Sequence, residues 1–132
     1  MEEFKHKALG LNDKTKIVFI AMSKTMFYFR RHAVKFVLEK GCTPISQFGI
    51  FDYFLVDSVD RDSVRKANNN LMRVADELWV FGPVSDGVLA EIKLVKGKKP
   101  IRYFKVENSD INEIKKEDVE FEDGLEKFSN EL

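Results

Sequence analysis

Glu91 is the residue on which a chemical reading of this chain can be built. It lies in the stretch Ser85-Asp86-Gly87-Val88-Leu89-Ala90-Glu91, which opens with a hydroxyl suited to cap a helix running from about Asp86 to Lys96. Within that helix Val88, Ile92 and Val95 share one stripe and should face a core. Taking Val88 as the origin at about 100° per residue, Val95 falls near about −20° and Glu91 near about −60°, so the acid lies at the margin of the buried face. Its side chain leans back toward the helix N-terminus and the turn before it. A carboxylate held there can attack an electrophilic carbon or hold a polar ligand. The alternative is a rim glutamate that reaches water along its own stem.

Three further groups suit the same site. Ser85, Asp86 and Gly87 open the helix, where unpaired backbone N–H groups favour an anion and a glycine lets a ligand approach closely. Ser23 and Lys24 follow an apolar run and offer a hydroxyl and a cation. Asn68 interrupts the apolar stripe Val64, Ala67, Leu71 and Val74 of another expected helix, so its amide must find partners on the buried side or beside a cavity. His32 pairs with nothing at a recognisable spacing and reads as an ordinary helix residue. Cys42, the single cysteine, reads as a small buried hydrophobe. No metal ligand set and no cofactor motif is expected.

These residues need elements to hold them. Ile17–Ala21 and Glu77–Phe81 are short apolar runs rich in β-formers, and read as strands buried on both faces. Ile101 to Val106 is a third strand, and Cys42 to Ile45, with Pro44, a fourth at an edge. Helices are expected from about Met26 to Lys40, from Asp60 to about Ala75, and after Ser85, with Gly41 and Gly97 as stop signals. The aromatic stretch Gln47 to Val59 reads either as a short core helix or as a lid able to stack on a planar base. Strand and helix alternation implies a doubly wound parallel sheet of order 2-1-3-4, flavodoxin- or Rossmann-like, with helices on both faces. Residues 1–15 read as a loose lead-in and 107–132 as an acidic segment docked on the same single domain, 1–132, with Asp118 to Glu122 extended.

At 132 residues, 44% hydrophobic and 12% aromatic, the chain can bury a real core. Its 22 basic and 22 acidic residues are scattered, which argues against a nucleic-acid polymer as partner. No apolar run is long enough for a membrane span and no signal segment is apparent, so a cytoplasmic location away from membranes is expected. The apolar segment Phe48 to Phe54 offers surface for a homodimer or larger assembly.

From Lys16 to Tyr103 the chain resembles the nucleoside 2-deoxyribosyltransferase superfamily, which includes the 2′-deoxynucleoside 5′-phosphate N-hydrolases. The motif is Ala75-Asp76 before a strand, Ser85-x-Gly87-x-x-x-Glu91, then Gly97-Lys-Lys-Pro100 before the last strand. The resemblance implies that Glu91 is the nucleophile that attacks the anomeric carbon and displaces the base, and that Ser85 helps hold a 5′-phosphate. Where that family carries a tyrosine at the end of the first strand this chain has Phe19, at the ligand-facing end of that strand. Where the family carries an aspartate that assists the leaving base this chain has Asn68, and Met22 replaces a glycine. The expected function is therefore an N-glycosidase or deoxyribosyltransferase-like protein acting on nucleoside 5′-monophosphates. A non-catalytic nucleotide-binding or sensing module, and a flavodoxin-like interaction domain, are the rival readings.

Overall fold

The structure, a computed structural model, describes residues 1–51 and 55–132. The strands and helices in chain order are β1 (Ile17–Ala21), α1 (Arg30–Glu39), β2 (Thr43–Ser46), α2 (Gln47–Ile50), α3 (Arg61–Val74), β3 (Glu77–Phe81), α4 (Asp86–Val95), β4 (Ile101–Glu107) and β5 (Asp110–Ile114). One five-stranded sheet runs β2-β1-β3-β4-β5, parallel across its first four strands and antiparallel at β4–β5. The fold is α/β, and the expected four-strand order is extended by one antiparallel strand. That strand was not expected: the sequence reading left 107–132 as a docked segment.

Alternation along the strands sorts side chains into two cores. Val18, Ile20, Trp79, Phe81 and Phe104 meet Phe29, Ala33 and Val37 on the α1 side. Phe19, Ala21, Leu78, Val80 and Tyr103 meet Met72 of α3 and Val88, Leu89, Ile92 and Val95 of α4 on the other. The α1 side is aromatic. Phe81 and Phe104 stack at 5.0 Å, Phe36 stands edge-on to Phe104 at 5.3 Å, and the Arg102 guanidinium lies 4.6 Å from the Trp79 ring. Glu77, at the start of β3, is buried there but accepts from Trp79 Nε1 at 2.8 Å and pairs with Lys16 Nζ at 2.7 Å. Cys42 is only half-buried against this core rather than enclosed by it.

The helices depart from expectation in two places. The segment expected to be helical from Met26 begins as a 3₁₀ helix, Lys24–Phe29, capped by Ser23, and becomes α only at Arg30. In α3 the buried residues are Asn68 and Met72, while Val74, expected on the inward stripe, is 60% exposed. The helix is turned so that Met72 brings its apolar area inward and Asn68 shares the buried side, where its Nδ2 finds an acceptor. Lys99 fixes the end of α3, its ammonium donating to the carbonyls of Met72, Arg73 and Ala75 at 2.5, 2.8 and 2.5 Å.

Residues 1–16 are exposed and hold only a 3₁₀ turn, Lys7–Gly10. At the other end Val119, Phe121 and Leu132 pack against the α3/α4 core, and Phe121 pairs with Val84 in the β3–α4 turn. No helix among the described residues is long and apolar enough to cross a membrane.

Candidate functional site

β1 and β3 are neighbours in the sheet, yet their following helices lie on opposite faces, so the chain parts at their C-terminal ends. A crevice forms where such a sheet divides. Here it is a cavity of about 710 Å³, walled by the segments after β1 and β3, by α2, and by the facing sides of α3 and α4. Gly82 shapes the turn at the end of β3: its φ is +78°, and a Cβ there would meet Met26 Cε at 3.2 Å.

Glu91 is deeper than its sequence phase suggested, at 6% exposure, and still lines the cavity. Its Oε2 accepts from Asn68 Nδ2 at 2.7 Å and from Gln47 Nε2 at 3.5 Å. Its Oε1 is buried without a hydrogen-bond partner among the described residues, and so is Asn68 Oδ1. Burial pushes the Glu91 carboxyl up to about 7, and the Asn68 bond pulls the other way without reversing it. Among the described residues no cation offsets this burial, and the two groups that reach Glu91, from Asn68 and Gln47, are neutral amides. A buried acid that lines a cavity, with one oxygen lacking a partner among the described residues, is suited to meet something that enters the cavity.

The structure brings most of the sequence-predicted residues into this wall: Ser23, Lys24, Asn68, Ser85, Asp86, Gly87 and Glu91 all line it. Phe19 does not. It is fully buried in the α3/α4 core, because strand alternation turns it under the helices rather than toward the crevice. The phenol of Tyr103 does not take its place, being buried on the same face, with its pKa pushed up to about 12 by that burial. Of the aromatic segment, Phe48 and Phe51 line the cavity and Phe48 stands edge-on to Phe27 at 5.6 Å. The expectation of a helix or lid across Gln47 to Val59 narrows to α2 and a 3₁₀ turn, Leu55–Ser58, with residues 52–54 outside the described residues.

Ser85 caps α4, its Oγ accepting from Val88 N–H at 3.3 Å, and Asp86 Oδ1 accepts from Gly87 N–H at 2.7 Å. A Cβ at Gly87 would meet no atom within 4 Å beyond its chain neighbours and its own helix backbone, so packing does not demand a glycine there. Two wall residues were missed by the sequence reading. Gln47 reaches Glu91 from the start of the aromatic stretch. Glu122, from the C-terminal segment, accepts from Ser23 Oγ at 2.6 Å and from Thr25 Oγ1 at 3.2 Å. Among the described residues no cluster of three or more His, Cys, Asp or Glu could hold a metal ion.

The model of a domain family of unknown function, DUF7768, matches residues 19–104. The chain belongs to this family. The DUF7768 span covers Glu91, Asn68, Gln47, Ser23 and the Ser85 turn, and ends within β4, so that β5 and Glu122 come from outside it. Among curated proteins none matches the chain.

Proposed function

We propose that the cleft binds a nucleoside or nucleoside 5′-monophosphate and cleaves its N-glycosidic bond, with Glu91 as nucleophile. The observation that carries this reading is the buried Glu91 carboxyl in the wall of the cavity, one oxygen held by Asn68 and the other without a partner among the described residues. The parallel part of the sheet suits the doubly wound nucleotide-binding class, in which ligands lie in the crevice beyond the carboxyl ends of the strands. Phe48 and Phe51 offer rings on which a planar base can stack.

In the proposed reaction one Glu91 oxygen bonds to the anomeric carbon as the carbon–nitrogen bond breaks, and the base leaves with that electron pair and takes a proton from water. A second water then attacks the anomeric carbon and gives its proton to the hydroxide left by the first, while the bond to the Glu91 oxygen breaks, releasing the sugar and restoring the carboxylate. Asn68 orients Glu91 by its 2.7 Å bond and cannot itself protonate the base. This favours substrates whose base leaves without a strong acid behind it. It also gives the second reading its ground: with Asn68 at this place and Phe19 in the core, a module that binds nucleosides without turnover uses the same wall.

Chromatography for free base, run on ribo- and deoxyribonucleosides and their 5′-monophosphates, tests the proposal. Base release that disappears in Glu91→Gln supports the enzyme. Binding without release, altered by Glu91→Gln, supports the sensing module. Neither release nor binding across the panel removes both.

A further inference from the structure

We infer that Glu122 selects the ligand at the Ser23 end of the cleft, admitting a free sugar hydroxyl and rejecting a 5′-phosphate. The inference rests on the reading of the cleft as a nucleoside site and narrows it from nucleotides to nucleosides.

Donors on both sides of the cleft that a phosphate would use are already engaged. Ser23 is 2% exposed, and its single hydroxyl proton goes to Glu122 Oε2 at 2.6 Å, while its oxygen accepts from Thr25 N–H at 3.3 Å. Thr25 Oγ1 is directed at the same carboxylate oxygen at 3.2 Å. Across the cleft, the first-turn N–H groups of α4 at Gly87 and Val88 are taken by Asp86 Oδ1 and Ser85 Oγ. Serving an anion there means displacing these bonds and lodging it between the carboxylates of Glu122 and Asp86, both of which line the cavity.

Glu122 cannot simply swing away with its segment. Its own N–H donates to the Val84 carbonyl at 2.9 Å, and Val84 N–H donates to the Glu120 carbonyl at 2.9 Å, which clips the backbone on both sides of Phe121 to the β3–α4 turn. The backbone that carries the carboxylate is therefore fixed, and the bonds from Ser23 and Thr25 hold the carboxylate to the wall. Its other oxygen, Oε1, accepts no hydrogen bond from a described residue and is suited to accept one from a sugar O–H. The cations at the rim do not reverse this balance: Lys24, Arg61 and Arg65 are exposed, and Arg65 is bound to Asp62 at 2.9 Å.

The test is titration calorimetry of the full chain with 2′-deoxyadenosine, 2′-deoxyguanosine, 2′-deoxycytidine and thymidine, and with the 5′-monophosphate of each. At least one nucleoside is expected to bind about tenfold or more tightly than its own monophosphate, and Glu122→Gln to shrink that ratio by about tenfold. The ratio on the unaltered protein needs no variant and decides first. Monophosphates binding as well as or better than nucleosides, or a ratio unmoved in a folded Glu122→Gln protein, would overturn the inference and leave the Glu91 proposal standing. Binding of neither class would overturn both.

Discussion

Two glutamates are buried among the described residues, and they are treated in opposite ways. Glu77 lies on the aromatic side of the sheet with a cation and an indole N–H on its carboxylate. Burial raises its pKa, but the bonds from Lys16 and Trp79 and the Lys16 charge outweigh it, leaving the carboxyl below its ordinary value. Glu91 lies on the other side with two neutral amides, one oxygen unpaired, and a carboxyl raised to about 7. The first acid is finished within the fold, whereas the second is left with a capacity that the fold does not use. That difference, more than burial itself, marks a site.

The largest expected effect separates the two by activity. If the chain turns over a nucleoside, Glu91→Gln should lower kcat about a thousandfold or more, whereas Glu77→Gln should leave kcat within a few-fold. Equal losses in both variants, followed by base release, would erase the contrast.

Next comes pH. Glu91 has a folded pKa above its unfolded value, so its contribution to stability is full below about 4.5 and is lost as pH rises through about 7, on the order of 3 kcal/mol in all. Glu77 has the reverse sign: its lowered pKa gives stability that is present above the unfolded value and lost as pH falls through the folded one. Urea midpoints from pH 4 to 8 should therefore show a decline across 4.5 to 7 in the parent protein that flattens in Glu91→Gln and persists in Glu77→Gln.

Smaller is the direct cost of Glu77→Gln. It leaves Lys16 without its counter-charge and weakens the Trp79 bond, and should destabilise by about 1 to 2 kcal/mol in urea denaturation at pH 7. Smallest is Asn68→Ala, which removes the 2.7 Å bond favouring the ionised Glu91, so the pH-dependent decline should keep its onset near 4.5 and its upper end should extend to higher pH. An upper end that stays in place would show that Asn68 does not hold the carboxylate.

Much of this was legible because it is local. The β1 and β3 runs are apolar throughout, and Ser85, Val88, Ile92 and Val95 give the cap and stripe of α4, from which the place of Glu91 follows by simple angular phase. β5 was missed because Ile111 and Ile114 are three residues apart, a helical spacing. On a strand the same spacing sends them to opposite faces, and they pack against the aromatic core and the α3/α4 core respectively. In α3 the expectation that Asn68 lies on the buried side beside a cavity holds and that for Val74 fails, while the partner of Asn68, Glu91, lies 23 residues away on another helix where no local pattern names it. Glu122 meets Ser23 across 99 residues, a pairing that no local pattern records.

Both outer strands also say how copies of this chain can meet. In β2, Thr43 N–H donates to the Lys16 carbonyl of the inner neighbour, so the next residue, Pro44, turns its backbone to the open side, where it has no N–H to offer. At the opposite margin β5 is short and carries Asp110 and Glu113, with Glu113 clasped by Arg102 at 2.6 and 2.9 Å. Strand-to-strand addition, the usual route to fibrils and to dimers with a continuous sheet, is blunted at both margins. Contact between copies through helices and loops is favoured over a continuous sheet, which would leave the crevice away from both strand margins.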